Sequence, residues 1–214
     1  MSLPEKTTST QALTTEELSA FDAYTSEASN IQSRKKFKKG VWSDSETGET
    51  VPADEAFVVN VRGAWREWIK WVDKEPVDRV VVPISSGKPF PEREELGDLD
   101  QELWDTDGNG DPQDPWQEQH GFTMRSLATS EEHVCAFGSK GGINAVAKLV
   151  GQFKFKSYAE GQPMFPEVLL RHVTKPNKRH KVDVDYPVFA VQRWHSMTDL
   201  LGGARAELDD DIPY

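Results

Sequence analysis

The sequence predicts a mainly β domain of the α+β class, and three observations support this. Apolar and polar residues alternate with a period of two from Phe57 to Val61 and again from Trp65 to Val72. One later stretch changes to helical spacing, with apolar residues at Ile143, Val146, Ala147, Val150 and Phe153. Two more strand-like segments follow that stretch. The chain therefore contains several strands and one helix inserted between them.

Before residue 89 the sequence predicts a polar N-terminal region followed by several strands. Residues 1–30 are rich in Ser, Thr and Lys and have little to bury, so we expect a flexible segment with one short helix capped by Thr14 or Thr15. A short strand is predicted from Phe37 to Trp42. The two alternating stretches are interpreted as two tightly joined strands, and Val77 to Ile84 is expected to form the next.

Gly, Pro and Asp punctuate residues 89–118, which predicts a long acidic loop rather than a regular element. Beyond this loop the sequence predicts two strands, then the helix, then two strands joined by a basic turn. The four strands are His120 to Leu127, His133 to Phe137, Val168 to Val173 and Val182 to Val191.

This order of elements fits an OB-like antiparallel barrel, which has five strands and places its helix between the third and the fourth. Extra strands would then stand at the front of the chain. Another small α+β barrel fits the order nearly as well. The predicted organisation is a flexible segment 1–30, a core 31–195 that carries the acidic loop, and a flexible acidic tail 196–214.

The formal net charge of −11 is concentrated in two segments. Glu92 to Glu118 carries −10 and Ala206 to Tyr214 carries −4, so the remainder of the chain carries +3. That remainder includes two basic clusters, which are Arg34, Lys35, Lys36, Lys38 and Lys39, and Arg171, Lys175, Lys178, Arg179 and Lys181. A basic binding surface is therefore compatible with this acidic protein, although both clusters also fit solvated loops.

Strand alternation places Arg66, Trp68 and Lys70 on one face and the residues between them on the other. Such a face suits single-stranded nucleic acid, because an aromatic ring stacks on any base while the neighbouring cations neutralise phosphates. Asn60 and Arg62 on the preceding strand would extend it. Alternatively, Trp68 belongs to the core and the charged side chains snorkel around it.

The run from Phe137 to Gly142 opens the predicted helix. Its free amides, together with Lys140, would receive a backbone phosphate of DNA. It is not a P-loop, because Ile143, Asn144 and Ala145 stand where the second half of that motif is required. A plain glycine turn before a helix explains the run equally well.

The sequence predicts no catalytic, metal or cofactor site. Asp105 to Asp111 begins like a calcium loop, but Trp116 occupies the twelfth position, where a bidentate Glu is required. Read as a nuclease site, the same carboxylates lack a rigid element and a nearby Lys. The five histidines show no zinc spacing, and Cys135, the single cysteine, fits a small buried apolar residue. We therefore expect a protein that is not an enzyme.

The last six residues, Asp209 to Tyr214, combine three carboxylates with an apolar tip. Repulsion among the acids and the fixed φ of Pro213 favour a free, extended tail. This ending resembles the acidic tip of bacterial single-stranded DNA-binding proteins, which docks replication and repair proteins and usually closes with Phe. The resemblance implies a partner-binding tip made of Asp209, Asp210, Asp211, Ile212, Pro213 and Tyr214. An ordinary solvating terminus is the alternative.

The stretch from Trp65 to Phe155 resembles a group of phage and prophage proteins. The shared features are a tryptophan-rich strand region followed by three motifs, namely Glu-Leu-Gly-Asp (95–98), Asp-Pro-Trp-Gln (114–117) and Ser-Lys-Gly-Gly (139–142). What this resemblance implies is a phage origin rather than a particular chemistry.

Together these observations predict a phage single-stranded DNA-binding protein for DNA replication, recombination and repair. We expect it in the cytoplasm of the bacterial host cell, since no signal peptide or membrane-spanning apolar run is evident. The alternatives are an adaptor or decoy that uses the tip without binding DNA, and a metal-dependent nuclease. Whether the chain forms a homo-oligomer stays open. The expected DNA-binding residues are Lys36, Lys38, Lys39, Trp42, Arg62, Arg66, Trp68, Lys70, Lys140, Arg171, Lys175, Lys178, Arg179, Lys181 and Trp194.

Overall fold

The computed structural model describes residues 31–106, 108, 110–177 and 182–200. These residues form eight strands and one long helix, so the mainly β prediction is confirmed. The expected helix within residues 1–30 and the acidic tip lie outside the described residues. The elements are β1 (Ile31–Lys38), β2 (Val41–Asp44), β3 (Ala56–Val72), β4 (Glu75–Pro83), β5 (Trp116–Ser126), β6 (Glu132–Phe137), α1 (Lys140–Glu160), β7 (Met164–Asn177) and β8 (Val182–Ser196).

The strands form one sheet that curls into a half-barrel. Its order is β2-β1-β6-β5-β3-β7-β8, and β4 pairs with β3 off this path. The pairing of β1 with β6 is parallel, whereas the other pairings among these strands are antiparallel. The expectation of a purely antiparallel barrel is therefore wrong at β1, because the alternation of side chains is the same for both pairing directions.

The predicted strand from Phe37 to Trp42 is wrong, because the chain reverses within it. Lys39 and Gly40 have φ angles of 50° and 78°, and they join β1 to β2 in a tight hairpin. Such left-handed backbone is favourable for Gly. At Gly40 a Cβ would lie 2.9 Å from Asp185 Oδ2, so the turn is pressed against the β7–β8 hairpin.

The two strands predicted between Phe57 and Val72 are one strand of 17 residues with an irregularity inside it. Asn60 pairs with Thr123 and Trp65 pairs with Gly121, so four residues of β3 oppose one residue of β5. Such a bulge bends the strand and increases its local twist. Gly63, which stands between the two alternating stretches, lies within this bulge.

Helix α1 packs against the sheet and contributes to the core. Its Val146 and Leu149 are buried in a cluster that includes Phe57 and Phe122. Ser139 caps the helix by accepting a hydrogen bond from the Gly142 amide at 3.2 Å. The predicted helix is confirmed, although Ala147, one of its expected apolar positions, is exposed. Cys135 is fully buried, as the sequence predicted.

Candidate nucleic-acid interface

Arg66, Trp68 and Lys70 do lie on one face of β3, and we call them the β3 strip. Their pairing partners on β5 are His120, Glu118 and Trp116 in turn, which all belong to one face of that strand. Farther along β5 the same face carries Phe122 of the core. The β3 strip therefore continues the core face of the sheet beyond the part that α1 covers.

The expected extension of this face by Asn60 is wrong. Asn60 pairs with Thr123, which is three residues from His120 and so lies on the opposite face of β5. The bulge between Asn60 and Trp65 changes the alternation, which a strictly periodic interpretation of the sequence could not include. Arg62 is half-buried inside this bulge.

Residues 87–104, which we call the cover, lie over the β3 strip. The Phe90 ring stacks on Trp68 with a centroid distance of 5.7 Å and an interplanar angle of 10°. The Trp68 indole donates a hydrogen bond to the Pro91 carbonyl at 3.0 Å. Arg66 Cζ lies 3.9 Å from the centroid of the same Phe90 ring. The predicted stacking surface of Trp68 is therefore occupied by the protein itself.

The two cations of the strip are also paired. Lys70 Nζ lies 2.9 Å from Asp98 Oδ2, which also accepts a hydrogen bond from the Trp116 indole. These two hydrogen bonds hold the pKa of Asp98 below its usual range. Arg66 pairs with Glu118 at 2.9 Å. Burial raises the pKa of Glu118, but hydrogen bonds from His120 and Arg66 outweigh burial and lower it.

The cover has its own internal order. Arg93 makes two hydrogen bonds of 2.7 Å to Asp114 and a third to the Gly97 carbonyl at 2.6 Å. The Trp104 indole donates to the Asp98 carbonyl at 2.7 Å. The segments 95–98 and 114–117, which carry two of the motifs, therefore meet. Sequence reasoning missed Phe90 and Arg93, although Arg93 as the lone base among eleven acids was an available signal.

A second basic surface forms where the β1–β2 turn meets β7 and β8. The Phe37 ring lies 6.2 Å from His172, and a Cβ on Gly40 would lie 2.9 Å from Asp185 Oδ2. The first basic cluster therefore lies beside the described part of the second, although 130 or more residues separate them in sequence. Several exposed cations lie on these elements, and we call five of them the basic edge: Lys36, Lys38, Lys39, Arg171 and Lys175. Lys178, Arg179 and Lys181 lie outside the described residues.

Trp42 is not available for stacking on a base, which corrects the sequence-based expectation. It is 5% exposed and packs against Phe37, Phe137 and Phe189. Its indole donates a hydrogen bond to the Arg171 carbonyl at 2.8 Å. The cause is its position on β2, which faces the core. Trp194, by contrast, is half-buried on β8.

The glycines at the start of α1 have a packing explanation. A Cβ on Gly142 would lie 2.4 Å from the Phe137 side chain, and one on Gly141 would lie 2.8 Å from Tyr186. Both positions therefore require Gly because the helix begins close to two aromatic residues. Lys140 is exposed at this end of the helix, and its contact with a phosphate stays a prediction.

Among the described residues, no three His, Cys, Asp or Glu side chains converge as a metal site. Asp107 and Asn109 of the calcium-like segment are outside that set. The part of the chain that the structure describes contains no helix of the length and apolarity needed to cross a membrane. Comparison with protein-family models, curated proteins and solved structures finds no match to this chain.

Proposed function

We propose that this protein is a phage-encoded, OB-like single-stranded DNA-binding protein that recruits replication, recombination or repair proteins through its acidic tip. The observation that carries the proposal is the basic edge. Its cations come from two clusters that are distant in sequence, and the neighbouring Phe37 and His172 rings, with the turn at Gly40 close to Asp185, bring those parts of the chain together. Cations spaced along strands and a turn suit phosphates, whose contacts position a nucleic acid without reading its sequence.

The basic edge would bind single-stranded DNA mainly through electrostatic contacts with its phosphates. Each phosphate contact releases counterions, so the affinity falls as salt rises, with a slope of about 0.7 per contact for single strands. Trp194 is the stacking candidate that stays accessible, because Trp42 belongs to the core and Phe90 occupies the face of Trp68. Binding is then sequence-independent and needs no cofactor or metal.

The test is a titration of labelled single-stranded oligonucleotides at several salt concentrations. The variant Lys38→Gln with Lys39→Gln removes two cations of the basic edge, and Lys148→Gln with Lys154→Gln removes two exposed cations from α1. We expect the first variant to bind about tenfold more weakly at low salt, with a salt slope lower by about 1.4. The second should match the wild type. Absence of binding at low salt, or equal effects of both variants, would refute the proposal.

A second candidate function is an adaptor or decoy that binds host replication or repair proteins through the tip without touching DNA. Two observations favour it: Trp42 is buried, and the cover occupies the β3 strip. This candidate predicts no DNA binding at any salt concentration. Deletion of Asp209 to Tyr214 abolishes partner binding under both candidates, so it tests the role of the tip alone.

The tip is tested with a purified bacterial protein that recognises the tails of single-stranded DNA-binding proteins. Basic residues on the surface of that protein would pair with the carboxylates of Asp209 to Asp211, while Ile212 and the Tyr214 ring enter an apolar pocket. A closed pocket built for Phe disfavours an unpaired hydroxyl by about 1–3 kcal/mol. Tyr214→Phe then tightens binding, whereas an open pocket leaves the affinity unchanged.

A further inference from the structure

We propose that the cover is an internal competitor for single-stranded DNA, which lies on the β3 strip in place of a nucleotide and must be displaced before DNA binds there. This inference rests on the proposed function and adds a second, regulated part to the binding surface. It assigns opposite roles to two sets of residues. The strip would bind DNA, and Phe90 with Asp98 would hold the strip closed.

Phe90 takes the place of a base. Its ring is parallel to Trp68 within 10° and lies under the Arg66 guanidinium, whose Cζ is 3.9 Å from the ring centroid. Stacking on an aromatic residue with an adjacent Arg is how proteins hold unpaired bases without reading their sequence. A base that replaced Phe90 would keep both contacts.

Asp98 takes the place of a phosphate. Its Oδ2 lies 2.9 Å from Lys70 Nζ and accepts a hydrogen bond of 2.9 Å from the Trp116 indole. A phosphate oxygen at the same point would accept from the same two donors. The cover as a whole carries six acids and two bases, a net charge of −4. It therefore competes for cations with the same charge that a nucleic acid brings.

The cover is not anchored as a core element would be. It contains two short 3₁₀ turns, Arg93–Leu96 and Gln101–Leu103, and neither has a buried residue. Its apolar side chains Leu99 and Leu103 are 53% and 83% exposed. Because the cover is held through the strip and through pairs such as Arg93 with Asp114, its displacement leaves the core cluster intact.

The experiment compares two variants of the full chain, each of which neutralises one carboxylate and shortens one apolar side chain to Ala. Asp98→Asn with Phe90→Ala removes the stacked ring and the charged pair through which the cover holds the strip, and leaves the Trp68 hydrogen bond to the Pro91 carbonyl. Glu102→Gln with Leu103→Ala removes one acid and one apolar side chain from an exposed part of the same cover. A competitor that keeps the strip occupied lowers the apparent affinity by the fraction of open molecules. We expect the first variant to bind an oligonucleotide about tenfold more tightly at low salt and the second within twofold of the wild type.

A third variant locates the gain. Adding Trp68→Ala to the Asp98→Asn and Phe90→Ala variant should return the affinity to within twofold of the wild type, because the base would lose its stacking partner. Asp98→Asn alone keeps the shape of the side chain, so it supplies the answer if the Phe90 variant folds poorly, with a gain of about threefold expected.

Two results would overturn the inference. If the wild type binds DNA with the expected salt dependence while Asp98→Asn and Phe90→Ala bring no gain over the Glu102 and Leu103 control, the cover is only a packed loop and the proposed function stands. If no variant binds DNA at low salt, the proposed function and the inference both fail.

Discussion

Arg93 holds Asp114 through two parallel hydrogen bonds of 2.7 Å, from Nε to Oδ2 and from Nη2 to Oδ1. The pair joins the first part of the acidic excursion to its end, 21 residues later. The hydrogen bonds to Asp114 raise the pKa of Arg93. Arg93 also donates hydrogen bonds to the carbonyls of Gly97 and Asp98. The same side chain therefore helps to position Asp98 for its ion pair with Lys70. Arg93 is therefore one of the cations that order this excursion, together with Lys70 at Asp98.

Arg93→Lys tests that role. A lysine cannot make two parallel bonds to a carboxylate, so residues 87–104 should lose protection from hydrogen exchange, with local opening easier by about 1–2 kcal/mol. Strands β5 and β6 should exchange as in the wild type. Arg193→Lys is the matched control, since that side chain is 72% exposed and its contact with Glu167 is long at 3.9 Å. Equal exchange of the cover in both variants would show that Arg93 does not order it.

Two glycines of α1 are expected to respond to the same substitution with opposite sign. Gly142→Ala would place a Cβ 2.4 Å from the buried Phe137 side chain, and we expect a loss of about 1–3 kcal/mol in the free energy of unfolding. At Gly151 a Cβ meets nothing within 4 Å, so Gly151→Ala should gain about 0.5–1 kcal/mol through helix propensity. Urea denaturation measures both values. Tolerance of Ala at Gly142 would contradict the packing explanation of this glycine.

Asp44 makes stability dependent on pH. Its Oδ2 lies 3.0 Å from Lys35 Nζ, and both side chains are nearly buried. Burial raises the pKa of Asp44, but hydrogen bonds from Ser33, from the Thr47 and Glu46 amides and from Lys35 outweigh it and hold the pKa well below the usual 3.8. The stabilising contribution is therefore complete above about pH 4 and is lost as the pH falls below that value.

Asp44→Asn should lower the free energy of unfolding by about 2–4 kcal/mol at pH 7, because Lys35 is left buried without its partner. The difference between the variant and the wild type should shrink on acidification below pH 4. Urea denaturation at pH 7, 5 and 3 measures it. Asp54→Asn, at an exposed position, should stay within about 0.5 kcal/mol of the wild type throughout. A difference that persists unchanged at pH 3 would contradict this role for the carboxylate.

The Cys135 thiol should be unreactive in the folded protein. It is fully buried on β6, and burial raises the pKa of its thiol. The thiolate, which is the reactive form, is therefore both scarce and inaccessible. We expect a thiol reagent such as DTNB to leave the native protein unmodified for hours and to modify one thiol per chain in urea. Rapid modification without denaturant would mean that β6 opens readily.

Much of the fold followed from local pattern. The alternation in β3, β5 and β6 predicted strands, and the spacing of Val146 and its neighbours predicted the helix, because side-chain periodicity reports which face of an element is buried. Alternation also placed Arg66, Trp68 and Lys70 together on one face, as the pairing with β5 bears out. Positions that depended on long-range contacts were harder. Trp42 looked available for stacking, yet it packs against Phe137 and Phe189, which lie about 95 and 147 residues further along the chain.

The class of the fold, the long helix α1, the buried Cys135 and the alternation along the β3 strip were predictable from the sequence, since each depends on neighbours within a few residues. The covering of the strip, by contrast, follows from long-range contacts. Phe90 and Asp98 meet Trp68 and Lys70 because a loop with no periodic pattern folds back over the sheet. The same holds for the close approach of the turn at Gly40 to Asp185, which brings the β1–β2 turn beside the β7–β8 hairpin. Such contacts depend on the curvature of the sheet and the path of the loop, which local sequence propensities do not specify.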